Sequence, residues 1–112
     1  MARNIFKGLG VALITPFTSD GNVDYKSLTR LVEYQIDNGA DFLCILATTS
    51  EAPCLSAEEK EKVKQLVIEV NRGRLPLLMG CGGNNTKAIV EELKNSDWRG
   101  IDGVLSVCPY YN

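Results

Sequence analysis

Phe42-Leu43-Cys44-Ile45-Leu46 runs directly into Ala47-Thr48-Thr49-Ser50-Glu51. The apolar run is too short for a helix and rich enough in large apolar groups for a buried strand. Two adjacent hydroxyls then stand where the strand ends. In open and closed α/β sheets the carboxyl ends of the strands are where ligands sit. The plainer explanation is a strand-to-helix turn, since Thr and Ser favour such turns anyway. The pentapeptide alone favours that explanation, and the rest of the chain decides against it.

Four apolar runs of this kind punctuate the chain: Leu9–Thr15, Asp41–Leu46, Leu75–Gly80 and Gly103–Cys108. Three amphipathic stretches lie between them. The first follows the turn Ser19-Asp20-Gly21-Asn22, with Asp24 as N-cap and Leu28, Leu31, Val32 and Ile36 on one face, and stops at Asn38-Gly39. The second begins at Ser56 with Glu59 at capping-box spacing, carries Val63, Leu66, Val67 and Val70, and ends at Arg72-Gly73. The third opens at Asn84-Asn85-Thr86, with Ile89, Val90 and Leu93 expected to face inward and Trp98 expected to pack just beyond. Strand and helix thus alternate, which predicts parallel strands joined by right-handed crossovers. The apolar runs are nearly continuous, as strands covered on both faces should be. Two architectures satisfy this pattern: a small doubly wound sheet, or part of a (β/α)₈ barrel whose full form needs about 250 residues.

Composition narrows the function classes. Twelve Lys and Arg against fourteen Asp and Glu leave a net charge of −2, with no basic run to suit nucleic acid. No apolar stretch is long enough to span a bilayer. Met1-Ala2-Arg3-Asn4-Ile5-Phe6-Lys7 lacks the apolar core of a signal peptide, so a cytoplasmic location is expected. Cys44, Cys54, Cys81 and Cys108 match no zinc spacing and are expected as free thiols, with Cys44 and Cys108 as small buried hydrophobes. The chain has no histidine, which removes Ser–His and Cys–His nucleophile pairs.

The segments that follow the four strands are Thr15-Pro16-Phe17, Thr48-Thr49-Ser50-Glu51, Gly80-Cys81-Gly82-Gly83-Asn84-Asn85 and Pro109-Tyr110-Tyr111-Asn112. Small residues, hydroxyls and phenols gather at one end of the sheet. The glycine-rich segment matches no phosphate-binding fingerprint and reads as tight packing. Tyr offers a phenol able to relay a proton.

Four motifs in order, Ile14-Thr15-Pro16-Phe17, Asp20-Gly21-Asn22-Val23-Asp24, Ala47-Thr48-Thr49-Ser50-Glu51 and Pro109-Tyr110-Tyr111-Asn112, resemble the N-terminal part of the dihydrodipicolinate synthase family. The paired threonines and the Tyr-Tyr-Asn ending favour the synthase over its relatives in the pyruvate-dependent aldolase superfamily, which includes N-acetylneuraminate lyase. The resemblance implies that residues 1–112 are the N-terminal half of a single TIM-barrel domain: an α/β half barrel with the first four strands and three helices. It implies lyase chemistry in lysine biosynthesis. Pyruvate, held as a lysine Schiff base, attacks aspartate semialdehyde, with no cofactor and no metal, in a homo-oligomer (dimer or tetramer).

Residue by residue, the resemblance makes Thr48 a relay hydroxyl and Tyr111 a relay tyrosine that enters the neighbouring subunit's site. Thr49 and Ser50 fall on the substrate-binding turn, with Thr49 holding the pyruvate carboxylate. Asn84 and Tyr110 match positions lining a regulatory lysine site. Thr15 and Pro16 match residues near the site floor. Ala47 and Ser50 replace glycines that usually flank the threonine pair, which predicts strain if Ser50 must take positive φ, and crowding of the carboxylate pocket. Lys60 and Ala88 replace a histidine and a glutamate of lysine-regulated members, which argues against strong feedback. The family's Schiff-base lysine lies on the sixth strand, beyond Asn112. The seven lysines here precede the first strand or fall on helical segments, mostly on polar faces, so the chain alone is expected to be inactive. A different pyruvate-dependent aldolase, or a non-catalytic α/β binding module, is the alternative.

Overall fold

The computed structural model describes residues 4–111; Asn112, which ends the last motif, lies outside the described residues. The elements are β1 (Gly10–Ala12), α1 (Tyr25–Asp37), β2 (Phe42–Ile45), a single 3₁₀ turn (Ala52–Cys54), α2 (Ala57–Asn71), β3 (Leu77–Gly80), α3 (Thr86–Asn95) and β4 (Gly103–Leu105).

Local chemistry sets the helix boundaries. The Asp24 carboxylate accepts from Ser27 N at 3.0 Å. At the start of α2, Ser56 Oγ accepts from Glu59 N while the Glu59 carboxylate accepts from Ser56 N, completing the capping box. Asn85 caps α3 through Ala88 N. Gly39 (φ +93°) and Gly73 (φ +70°) take up left-handed backbone just past α1 and α2.

The strands form one parallel sheet in the order β1-β2-β3-β4. That order settles the architecture. A doubly wound sheet reverses its strand order so that helices cover both faces. An unreversed series of right-handed crossovers keeps every helix on one side, as a barrel requires. The core accordingly lies between the helices and one sheet face. Leu28 and Val32 of α1 and Val63 and Val67 of α2 cluster with Leu43, Ile45, Leu77 and Met79. Burying each such side chain contributes about 1.5–3 kcal/mol. Trp98 packs on the edge of this core and donates its indole N–H to Leu93 O.

The N-terminal ends of the strands are latched by a repeated device. The Asp41 carboxylate accepts from Leu9 N beside β1 at 2.6 Å, and the Asp102 carboxylate accepts from Leu77 N at the start of β3 at 2.9 Å. Each aspartate immediately precedes an even-numbered strand or its first residue, and each grips the odd-numbered strand beside it.

Several expectations change. β1 and β4 are shorter than their apolar runs, because pairing extends only where a neighbour lies alongside. Cys44 is buried but Cys108 is exposed, lying beyond the end of β4. Val90 and Leu93 are 39% and 36% exposed rather than inward, because α3 is the last helix and its far side has no neighbour among the described residues. Lys64 is not on a polar face: it is 3% exposed, bonded to Asp97 O at 2.9 Å and to the Glu61 carboxylate at 2.8 Å.

Candidate active site

The turn after β2 is shaped by its two ends. Leu46 (φ +53°) and Glu51 (φ +57°) are both left-handed, an uncommon conformation for residues with a side chain. Ser50 is not left-handed, so the strain expected there falls instead on the residues that bracket the turn. Within it, Ser50 N donates to Ala47 O and Glu51 N to Thr48 O. Thr48 and Thr49 are held outward and exposed, whereas Ser50 is turned inward and buried.

Ser50 is tied to the end of β1 twice. Its hydroxyl donates to Leu13 O at 2.6 Å, and the buried Thr15 hydroxyl donates to Ser50 O at 2.7 Å. The Ser50 hydroxyl is therefore engaged by backbone and directed toward β1. Gly80 is required on the other side: a Cβ there would meet Leu46 O at 2.3 Å and Ala47 Cα at 2.7 Å.

A cavity of about 520 Å³ opens over these strand ends, lined by Ala47, Thr48, Lys60, Cys81, Val107 and Tyr110 among others. The structure thus brings Thr48 and Tyr110 around one space. Tyr111 is fully exposed, and Thr49 and Asn84 are exposed outside this lining. Burial pushes the Cys81 thiol up from its ordinary value, and the Glu92 carboxylate adds to the effect. Cys44 is raised by burial alone. Both thiols are therefore protonated near neutrality and poor nucleophiles. Sequence reading missed the cavity role of Cys81 and the burial of Lys64. Neither has a local signal, since both depend on how α2 and α3 sit over the sheet.

The sequence profile of the dihydrodipicolinate synthetase family matches residues 5–112. The chain belongs to this family. It is 56% identical over its whole length to the 4-hydroxy-tetrahydrodipicolinate synthase of Phocaeicola vulgatus, and spans 38% of that relative. The dihydrodipicolinate synthase of Aquifex aeolicus superposes with a TM-score of 0.85 at 43% identity, over 95% of this chain and 36% of that one. The N-acetylneuraminate lyase of Mycoplasma synoviae matches equally in shape, TM-score 0.85, at 33% identity over 97% of this chain and 38% of that one. Dihydrodipicolinate synthetase family membership makes the chain part of a lyase-class enzyme family, and the four-stranded sheet is the N-terminal part of its TIM barrel.

Proposed function

We propose that the chain carries the N-terminal share of a site that condenses pyruvate with aspartate semialdehyde. The observation that carries this reading is the outward Thr48-Thr49 pair at the carboxyl end of β2, braced by left-handed Leu46 and Glu51 and by the Ser50 tie to β1. Thr48 relays a proton through its hydroxyl, and Thr49 holds the pyruvate carboxylate through its hydroxyl and backbone N–H. Ser50 serves the substrate-binding turn from beneath. Tyr111, fully exposed, reaches a neighbouring subunit of a homo-oligomer and completes the relay there. Tyr110, in the cavity wall, and Asn84, exposed outside its lining, belong to a regulatory site.

The greater identity to the synthase of Phocaeicola vulgatus than to the lyase of Mycoplasma synoviae supports aspartate semialdehyde as second substrate. The setting proposed is cytoplasmic; no described helix is long and apolar enough to cross a membrane.

The imine that activates pyruvate needs a lysine nucleophile. Six lysines fall on the helices α1, α2 and α3, of which Lys60 reaches the cavity wall, and Lys7 precedes β1; none lies on a strand end of the sheet. The 112-residue chain alone is therefore proposed to be inactive. The test is a chimera in which residues 1–112 replace the matching part of the Phocaeicola vulgatus synthase. Condensation of pyruvate with aspartate semialdehyde is expected, with Thr48→Val lowering kcat by about 10²-fold or more. A folded chimera that cleaves N-acetylneuraminate instead, or that is unaffected by Thr48→Val, contradicts the reading.

A further inference from the structure

Thr15 has no part in the chemistry proposed above, yet its hydroxyl is buried just past β1 and donates to Ser50 O at 2.7 Å. The donor end is itself held on both sides. Leu13 N donates to Cys44 O at 2.9 Å, and Asp24 N donates to Pro16 O at 2.8 Å. Phe17 pairs with Val23 one residue further on.

The bond from Thr15 opens a chain of donors that runs along the backbone of the turn. Ser50 O belongs to the peptide plane whose N–H is that of Glu51, and Glu51 N donates to Thr48 O at 2.9 Å. Thr48 O belongs in turn to the plane whose N–H is that of Thr49. No peptide bond among the described residues is cis. In a trans peptide the C=O and the N–H point in opposite directions. Each accepted bond therefore aims the next N–H away from it, and the last, that of Thr49, is aimed out of the turn. Each link also polarises the one after it, because a carbonyl that accepts a hydrogen bond makes its own amide N–H a stronger donor. A carboxylate at the end of such a chain is held more tightly than by an isolated amide.

We infer that Thr15 is a positioning residue for the carboxylate of the 2-oxo acid substrate. It touches no substrate and acts through the Ser50–Glu51 and Thr48–Thr49 peptide planes. The inference rests on the role proposed for Thr49 in holding that carboxylate. The second tie to β1, from Ser50 Oγ to Leu13 O, lies outside this chain of planes. Loosening the chain weakens the substrate and its transition state alike, since both carry the carboxylate, so KM rises while kcat holds.

Pyruvate saturation curves of the chimera with the Phocaeicola vulgatus synthase test this. Thr15→Val removes the hydroxyl at nearly constant shape. It is expected to raise the pyruvate KM by roughly fivefold or more, with kcat within about twofold. Thr15→Ser keeps the donor and should hold KM within about twofold of the unsubstituted value. Lys64→Met loses a buried hydrogen bond on α2 and should leave KM unchanged. Hydrogen exchange in the unsubstituted chimera adds a readout independent of any variant's folding. Saturating pyruvate should slow the Glu51 amide more than that of Ser50, whose bond to Ala47 O is outside the chain. Thr49→Val separates the two claims. If it raises KM and folded Thr15→Val does not, the role of Thr15 is wrong and that of Thr49 stands. If Thr49→Val leaves KM unchanged, the role of Thr49 fails, and that of Thr15 with it. Thr15→Ser as weak as Thr15→Val, Lys64→Met raising KM equally, or a Glu51 amide indifferent to pyruvate would each overturn the proposal.

Discussion

Thr15 and Ser50 form a buried interlock between the ends of β1 and β2. The Thr15 hydroxyl donates to Ser50 O at 2.7 Å, and Ser50 in turn donates to Leu13 O at 2.6 Å. Both residues are nearly inaccessible, at 3% and 2% exposed. The interlock fixes the turn that presents Thr48 and Thr49 without using either of their side chains.

Breaking one half of this interlock leaves a buried carbonyl without its donor. Ser50→Ala and Thr15→Val should each cost about 1–3 kcal/mol. The double variant should cost less than the sum, because the two bonds share Ser50. Urea unfolding of the four proteins measures this, and strict additivity would show that the two bonds act independently.

Gly80→Ala places a methyl group against the backbone of Leu46 and Ala47, neither of which can rotate away. β2 and β3 must separate at their carboxyl ends, at a cost of about 1–3 kcal/mol. Gly21→Ala, with open space around it but φ +83°, should show strain without a clash. Hydrogen exchange across residues 43–51 should therefore accelerate in Gly80→Ala and not in Gly21→Ala.

Lys64 ties α2 to the segment leading into β4 through Asp97 O. Lys64→Met keeps the apolar stem and loses the bond, at about 1–2 kcal/mol. Lys64→Ala should cost more, because the stem is buried as well. Equal denaturation midpoints for the two variants would show that the stem contributes no packing.

Asp24 links acid stability to a single cap. The Ser27 N–H, then the Ser27 hydroxyl, hold its carboxyl below the ordinary value of 3.8. A carboxylate lowered in the folded state stabilises above its unfolded pKa and loses that stabilisation as pH falls through the folded pKa. Asp24→Asn keeps a cap oxygen and removes the titration. Its Tm should fall less than that of the unsubstituted chain on acidifying below 3.8. Thermal scans at a series of pH values check the sign.

Much of the fold is legible because its signals are local. Asp24, Ser56 with Glu59, and Asn85 each act within three residues of their targets. The apolar runs mark every strand. Long-range outcomes are not legible in the same way. Nothing near Lys64 announces Asp97 O, which lies thirty-three residues away. The choice between doubly wound sheet and barrel depends on strand order, which periodicity does not contain. At the site, the outward Thr48-Thr49 pair follows from the strand ending, but the left-handed conformation sits at Leu46 and Glu51 rather than Ser50. The same turn brings Ser50 to Leu13 O, just beyond β1 and thirty-seven residues away, a partner that nothing local announces.

Intact mass after incubation with pyruvate and borohydride tests the central claim most directly, since reduction traps any lysine Schiff base. A half barrel that holds Thr48 and Thr49 but no competent nucleophile should stay at 12.3 kDa. A stoichiometric pyruvate adduct would contradict the account and show that one of the seven lysines is activated within this chain.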